Sequence, residues 1–438
     1  MNRRDMLKKS AKMMLVASAL AEANIIKSSE KNATNLSTTK KKIPKIVVVG
    51  GGWSGLGFAK HIKSFVPNSE VTLVERRDHF VSCPMSNEWL VDLVNLDFLT
   101  HSYIDAAVNN NYTYIQAEAV DVDKKRNILK TTKGDLEYDY LVFAVGIEYD
   151  YEVWTHGDKK LENRLKREYP AAFIPGSEHI TLKEKIKNFK GGNFVMTVPS
   201  GNYRCLAAPY ERACLVADYF IKNKIDAKVI LLDANNRIQI KAKGFSSVFN
   251  SIYKNHIDYM VNAQITNLDL NKKIVSTEFD DIHFEDASFY PNVKAPYLLE
   301  KMNMTKRTSF NRVEADINQY TYKVKKTDNI YVCGDARPMG FSKSGNTAFS
   351  EGVNLARMIA DEIEGKKPIW VSPITTCFSI LRTEPERCIS LYTEYEYEKS
   401  GGMLFKNNLT DEAWKTNGLG DARVAYAWAE GMYASMFY

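Results

Sequence analysis

The chain of 438 residues holds six Cys and seven His, yet it has no C-x-x-C pair, no C-x-x-C-H and no histidines at metal-ligand spacing. A zinc ribbon, a c-type haem attached to this chain and a His-based metal site are therefore not expected. No run of 18 or more apolar residues occurs, so no transmembrane helix of ordinary length is expected either. One-sided charge is also missing. The formal charge is +6, and residues 1–23, with five Lys/Arg and two Asp/Glu, carry a net +3 of it, leaving +3 for the rest. That near balance implies no nucleic-acid partner. No repeat of solenoid length is visible.

The N-terminal charge has its own pattern. Arg3-Arg4-Asp5-Met6-Leu7-Lys8 is followed by a short apolar stretch, Met13 to Leu20, and by Ala21-Glu22-Ala23, a small-residue cleavage pattern. Met6 stands where Phe is usual. The pattern predicts an export signal of the twin-arginine type over 1–23, and hence a periplasmic protein. The polar, Lys/Ser/Thr-rich stretch 24–44 reads as a flexible leader. Export favours a disulfide, but spacing does not say which of the six cysteines would pair.

The length predicts two or three domains. Lys45–Val49 is a β-branched run fit for a buried parallel strand. Gly50-Gly51-Gly52-Trp53-Ser54-Gly55 follows, then helical spacing over 56–65 and a strand over 70–75. Gly50, Gly52 and Gly55 form G-x-G-x-x-G after a strand and before a helix. They serve the tight turn, the approach of a pyrophosphate and close helix–strand packing. The helix N-terminus offers N–H groups to phosphate. Glu75 stands 20 residues after Gly55, where an acid accepts from ribose hydroxyls.

Two later strands bear on which dinucleotide binds. Residues 138–146 end in Ala144-Val145-Gly146, and 330–335 end in Gly334-Asp335. Both resemble the later motifs of two-dinucleotide-domain flavoproteins. The resemblance implies FAD, with Asp335 on a ribityl hydroxyl; the plainer role for Asp335 is a helix N-cap. A second alternation has strands at 193–198 and 227–233 around a helix at 207–223. Its turn reads Val198-Pro199-Ser200-Gly201-Asn202-Tyr203-Arg204-Cys205, without G-x-G-x-x-G. Tyr203 and Arg204 would crowd a pyrophosphate, so this unit is expected to keep its fold without binding NAD(P)H. A helix is expected over 346–364. The tail from 366 is aromatic and less periodic.

Beyond residue 44 the chain resembles the flavoprotein subunit of flavocytochrome c sulfide dehydrogenase. The resemblance rests on Cys83-Pro84-Met85-Ser86-Asn87-Glu88, Arg204-Cys205, Pro209-Tyr210-Glu211-Arg212-Ala213, Lys343-Ser344-Gly345, Thr376-Cys377-Phe378-Ser379-Ile380-Leu381 and Tyr426-Ala427-Trp428. It implies an α/β fold of two Rossmann-like, glutathione-reductase-like domains, the second inserted in the first, with a C-terminal α+β cap. The implied boundaries are 45–155 with 292–365 for FAD, 156–291 for the degenerate NAD-like domain and 366–438 for the cap. It also implies a redox-active disulfide, Cys205 with Cys377, attacked by hydrosulfide to leave a persulfide and a thiolate. A purely structural bridge between the same two residues is the alternative.

Cys83 matches the residue that anchors FAD covalently, although Pro84 beside it departs from the family. Glu211 matches an acid near the disulfide that can take a proton; an exposed helix Glu is the plainer reading. Lys343 precedes a helix N-terminus that would face the flavin pyrimidine, or is a solvated loop Lys. Trp428 is expected beside the flavin or in the core. Cys214, Cys333 and Cys388 read as buried small apolar residues. The implied function is oxidation of hydrogen sulfide with a separate c-type cytochrome subunit as electron acceptor. Sulfide:quinone oxidoreduction, with the aromatic tail 426–438 toward a membrane, is the second reading. An accessory thiol–disulfide flavoprotein of a sulfur-oxidising complex is the third.

Overall fold

The computed structural model describes residues 42–308, 312–397 and 403–438; residues 1–23, expected to be an export signal, and the expected leader up to residue 41 lie outside the described residues. The first layer follows the chain as Lys45–Val49 (β1), Trp53–Phe65 (α1), Glu70–Glu75 (β2), Ser86–Leu90 (α2), Thr113–Gln116 (β3) and Tyr140–Phe143 (β4). Gly192–Val198 (β5), Ala208–Lys222 (α3), Ala227–Asp233 (β6), Ala242–Phe249 (α4), Ile257–Met260 (β7) and Asp286–Ser288 (β8) come next. The chain closes with Ile330–Val332 (β9), Gly345–Ile363 (α5), Ile374–Thr383 (β10), Glu386–Tyr397 (β11), Met403–Asp411 (β12) and Gly418–Phe437 (α6).

Two parallel sheets result. The first has strand order β9-β4-β1-β2-β3 and the second β7-β6-β5-β8. β1 reads Lys-Ile-Val-Val-Val, and its last four residues are buried. That continuous apolar run suits a central parallel strand covered on both faces. β9 returns to the first sheet beside β4 after the whole second sheet has been completed. The two crossings between the sheets pair as antiparallel strands, with Glu148 opposite Lys294 and Asp150 opposite Asn292. The architecture is α/β, with the second Rossmann-like unit inserted in the first.

α1 and α5 pack closely because their contact is glycine-rich. A Cβ on Gly352 would fall 2.2 Å from the Ser54 carbonyl oxygen, and one on Gly57 would fall 2.9 Å from the Phe349 ring. α5 starts at Ser344, whose hydroxyl accepts from the Thr347 N–H at 3.4 Å.

The tail is more regular than its sequence suggests. β10, β11 and β12 form an antiparallel sheet, and α6 runs for 20 residues. The buried side of α6 is largely small: Gly418, Ala422, Ala425 and Ala429 precede Tyr433 and Met436. A helix face made of alanine gives little apolar contrast, which is why its period is faint in the sequence.

Candidate active site

A cavity of about 600 Å³ opens at the C-terminal ends of β1, β2, β4 and β9 and extends to β10 and α6. This is where ligands bind in open parallel sheets. Gly50 has φ +101°, and a Cβ there would lie 2.6 Å from the Ala144 oxygen. A Cβ on Gly55 would lie 1.8 Å from the Gly50 oxygen, whereas one on Gly52 meets nothing within 4 Å. The first and third glycines are thus required by packing, and the second leaves open space at the N-terminus of α1. Glu75 accepts from the N–H of Gly51 at 2.7 Å and of Arg77 at 3.1 Å, which fixes its carboxylate at the cavity wall.

Gly146 and Gly334 line the same cavity with φ +73° and +72°. Asp335 lies in a 3-10 turn, not at a helix N-cap. Its Oδ2 accepts from Arg204 Nε at 2.7 Å, while the buried Oδ1 has no partner among the described residues. Trp53 Nε1 is orphaned in the same way. Unsatisfied buried polar atoms beside an open glycine turn fit a ligand rich in hydroxyl and phosphate. FAD is such a ligand, and these residues fit it. Trp428, on α6, lines the cavity and stacks on Trp53 with centroids 6.2 Å apart and planes 6° apart.

Cys83, Cys205 and Cys377 all line the cavity. Cys205 precedes α3 and has φ +56°, a left-handed conformation uncommon for a non-glycine residue. The backbone holds it there: its N–H donates to the Lys343 oxygen at 2.6 Å, and its own oxygen accepts from Ala208 at 3.0 Å. Cys377 is on β10. Both are free thiols in this structure rather than a disulfide, and they are hydrogen-bonded to each other. The hydrogen bond from Cys205 is the largest cause holding the Cys377 thiol down, to about 6; the nearby Lys241 ammonium adds to it against burial. Cys205, as the donor, is pushed well above the ordinary thiol range. The Cys83 thiol donates to the Phe173 oxygen at 3.4 Å and is raised by burial. Pro84 packs on the start of α5, 2.7 Å from where a Gly345 Cβ would stand.

Glu211 is buried on α3, not exposed, and lines the cavity. Its Oε1 accepts from the Ile380 N–H at 2.7 Å and its Oε2 from Asn87 Nδ2 at 2.8 Å. Asn87 Oδ1 in turn accepts from Arg212 Nε at 2.8 Å. Burial first, and the Glu88 carboxyl next, push Glu211 well above the usual carboxylate range. Glu88, on α2, is raised by burial to about 7, and its Oε2 has no partner among the described residues. Two buried carboxyls thus face one site, each favoured in its protonated form.

Lys343 does not face the cavity. Its ammonium is buried 3.1 Å from Glu314 and donates to the carbonyls of Asp335 at 2.6 Å and Arg337 at 3.1 Å. Three acceptors behind the wall outcompete the opening. The cations that line the cavity are Arg76, Arg77 and Arg204, and of these Arg204 reaches Asp335. The expectation that Tyr203 and Arg204 crowd a second dinucleotide turn is therefore corrected: Arg204 reaches Asp335, and the Tyr203 hydroxyl donates to the Leu206 oxygen at 3.0 Å. Arg204, Glu88 and Lys241 are site residues that sequence reading did not assign. The first two stood inside quoted motifs; Lys241 carried no local signal. Cys214, Cys333 and Cys388 are buried. Among the described residues no His/Cys/Asp/Glu cluster suits a metal, and no helix is long and apolar enough to cross a membrane.

Comparison with known proteins agrees with this geometry. Residues 11–167 match the pyridine nucleotide-disulphide oxidoreductase family, and residues 180–288 match the central part of the sulfide dehydrogenase (flavocytochrome c) flavoprotein chain. A sulfide dehydrogenase (flavocytochrome c) flavoprotein chain from Chlorobaculum thiosulfatiphilum is 49% identical over 43 residues, 10% of this chain and 90% of that sequence. The mitochondrial sulfide:quinone oxidoreductase of Mus musculus is 22% identical over 351 residues, 77% of this chain and 75% of that one. The solved sulfide:quinone oxidoreductase of Aquifex aeolicus superposes with a TM-score of 0.69 at 15% identity, covering 90% of this chain and 91% of that one. The chain belongs to the sulfide-oxidising flavoproteins of the pyridine nucleotide-disulphide oxidoreductase fold, and it binds FAD.

Proposed function

We propose that this flavoprotein oxidises hydrogen sulfide at the Cys205–Cys377 pair and passes the electrons to a c-type cytochrome in the periplasm. The observation that carries the reading is the contact of these two thiols, from distant parts of the chain, on the wall of the FAD cavity. Gly50, Gly52, Gly55, Glu75, Gly334 and Asp335 hold the cofactor. FAD, when bound, takes up an electron pair and releases it to an acceptor. In the oxidised protein the pair is a disulfide, and hydrosulfide opens it by thiol–disulfide exchange. Glu211 and Glu88, buried carboxyls both raised above the usual carboxylate range, hold and release protons as hydrogen sulfide is consumed. Cys83 is the proposed covalent anchor, which would prevent cofactor loss outside the cytoplasm.

NAD(P)H is not the proposed donor. Arg312 fills the turn of the second Rossmann unit: it donates to the Ser200 and Asn202 oxygens at 3.0 Å each, and a Cβ on Gly201 would lie 1.7 Å from its guanidinium. Asp233, at the end of β6, is buried and accepts from the hydroxyls of Tyr210 at 2.7 Å and Tyr259 at 2.8 Å. An acid so occupied is closed to a ribose.

Sulfide:quinone oxidoreduction remains the second reading, favoured by the mouse relative that matches three quarters of the chain. Anaerobic mixing with sulfide is expected to bleach the flavin, and NADH is expected to leave it oxidised. A flavin that sulfide does not reduce overturns the proposal. Electron delivery from the sulfide-reduced protein to cytochrome c, compared with a soluble quinone, decides between the two acceptors. Fluorescence that stays with the denatured chain reports a covalent flavin.

A further inference from the structure

Lys241 belongs to none of the sequence motifs of the site, yet it is among the most enclosed charged residues of the fold, at 4% exposure. It precedes α4 with φ +52°, and its own oxygen accepts from the Phe245 N–H at 3.1 Å. This left-handed backbone sends the side chain away from the second Rossmann unit toward β10. There Nζ reaches Ser379 Oγ at 2.7 Å, Cys377 Sγ at 3.4 Å, the Cys377 oxygen at 3.4 Å and the Ile389 oxygen at 3.5 Å.

Burying an ammonium without a counter-charge is strongly unfavourable, because its hydration is lost and nothing of opposite sign replaces it. Among the described residues Lys241 forms no salt bridge with a carboxylate; the Glu211 carboxyl is near enough to feel its charge, but burial pushes that carboxyl toward its neutral form. Three of its four acceptors, two carbonyls and a hydroxyl, stay neutral at all working pH values. The fourth, the sulfur of Cys377, is able to become an anion. The other titratable groups that act on Cys377 are Cys205, Glu88 and Glu211. Burial raises both carboxyls, and Cys205 is raised as the hydrogen-bond donor to Cys377. Below about pH 7 all three favour their neutral forms, so the negative charge nearest the ammonium falls to Cys377; above it Glu88 ionises as well. Cys388 is buried close by and is raised by burial as well.

We infer that Lys241 is the charge partner of Cys377, and that it holds this sulfur as a thiolate whenever the cysteine pair is reduced. The inference rests on the proposed disulfide chemistry and adds to it a cation supplied by the inserted domain. Reduction of the disulfide by two hydrosulfide ions then balances as follows. The Cys205–Cys377 bond breaks, one S–S bond forms between the two substrate sulfurs, and the products are the Cys205 thiol, the Cys377 thiolate and hydrodisulfide. Two protons and two negative charges stand on each side. The electron pair passes from hydrosulfide to the cysteines, and no outside proton is needed. A cation that stabilises the thiolate product makes the disulfide a stronger oxidant, by the same logic that makes dithiols with a low-pKa cysteine strongly oxidising when paired.

The test is alkylation of the dithionite-reduced holoprotein by iodoacetamide, read for each cysteine peptide by mass spectrometry from pH 4.5 to 9. Cys377 is expected to react first, with half-maximal rate near pH 6. In Lys241→Met the Cys377 profile moves to higher pH, and at pH 5, below both midpoints, its alkylation slows about tenfold, the change that one pKa unit gives there. Lys241→Arg keeps the charge and is expected to restore the wild-type profile. A Lys241→Met protein that retains FAD and shows an unshifted profile overturns the inference. So does a wild-type protein in which Cys205 reacts at lower pH than Cys377, which needs no variant to fold. Reduction of the flavin by sulfide, measured separately, tests the proposed function instead. A protein that alkylates as expected but does not respond to sulfide loses its substrate assignment and keeps its thiolate.

Discussion

At the level of single residues, Glu88 ties the site to stability. Its folded carboxyl is raised to about 7, chiefly by burial, against about 4.3 for an exposed Glu. The sign follows from proton binding: between these values the folded state holds more protons than the unfolded one. Stability is therefore undiminished below about pH 4, falls as pH rises toward 7, and levels off above it. Glu88→Gln removes the titration and is expected to flatten that part of the decline. Urea midpoints at pH 5 and pH 8 measure it, and an equal fall in wild type and variant contradicts the assignment. Most site residues were legible at this scale because glycine, cysteine and acidic residues carry their chemistry in short motifs. Lys343 was legible as a cation but not as a buried one, since Glu314, Asp335 and Arg337 converge on it only in the fold.

Between elements, two glycines that look alike in the sequence do different work. A Cβ on Gly52 meets nothing within 4 Å, and its φ of −77° suits any residue. Gly52→Ala is expected to leave the unfolding of the FAD-free protein within about 0.5 kcal/mol of wild type. Its FAD affinity should fall at least tenfold, because the methyl enters the space left for the pyrophosphate. Fluorescence titration with FAD measures this, and unchanged affinity would show that the open space is not the phosphate site. Gly352, inside α5, has no such space: its Cβ would lie 2.2 Å from the Ser54 oxygen. Gly352→Ala is expected to destabilise the chain by about 1–3 kcal/mol through overpacking of α1 against α5, read as a lower urea midpoint. The strands and helices of both Rossmann units were legible from periodicity and turn residues. The tail was not, because alanine supplies most of the buried side of α6 and the partners of β10 lie within the tail itself.

For the whole molecule, the candidate FAD cavity draws its wall from regions that the sequence separates, from Val49 to Trp428 and including the inserted unit. Binding confined to the folded state stabilises by mass action, about 2.7 kcal/mol at a free FAD concentration ~100 times Kd. Adding FAD to cofactor-free protein is therefore expected to raise the melting temperature in a concentration-dependent way. A melting temperature indifferent to FAD would place the cofactor outside this cavity.

The sequence by itself determined the dinucleotide loop, the order of the Rossmann units and the identity of the cysteines, since each depends on neighbours along the chain. The family resemblance carried by the sequence implied that Cys205 pairs with Cys377, and the tertiary structure brings both to the wall of one cavity. The tertiary structure alone decided that Arg204 rather than Lys343 lines the cavity, that Glu88 joins Glu211, and that Lys241 stands behind the reactive sulfur. The physical reason is that charge, burial and hydrogen-bond partners are set by groups far apart in the chain, and these become defined only when the sheets and the tail close around one space.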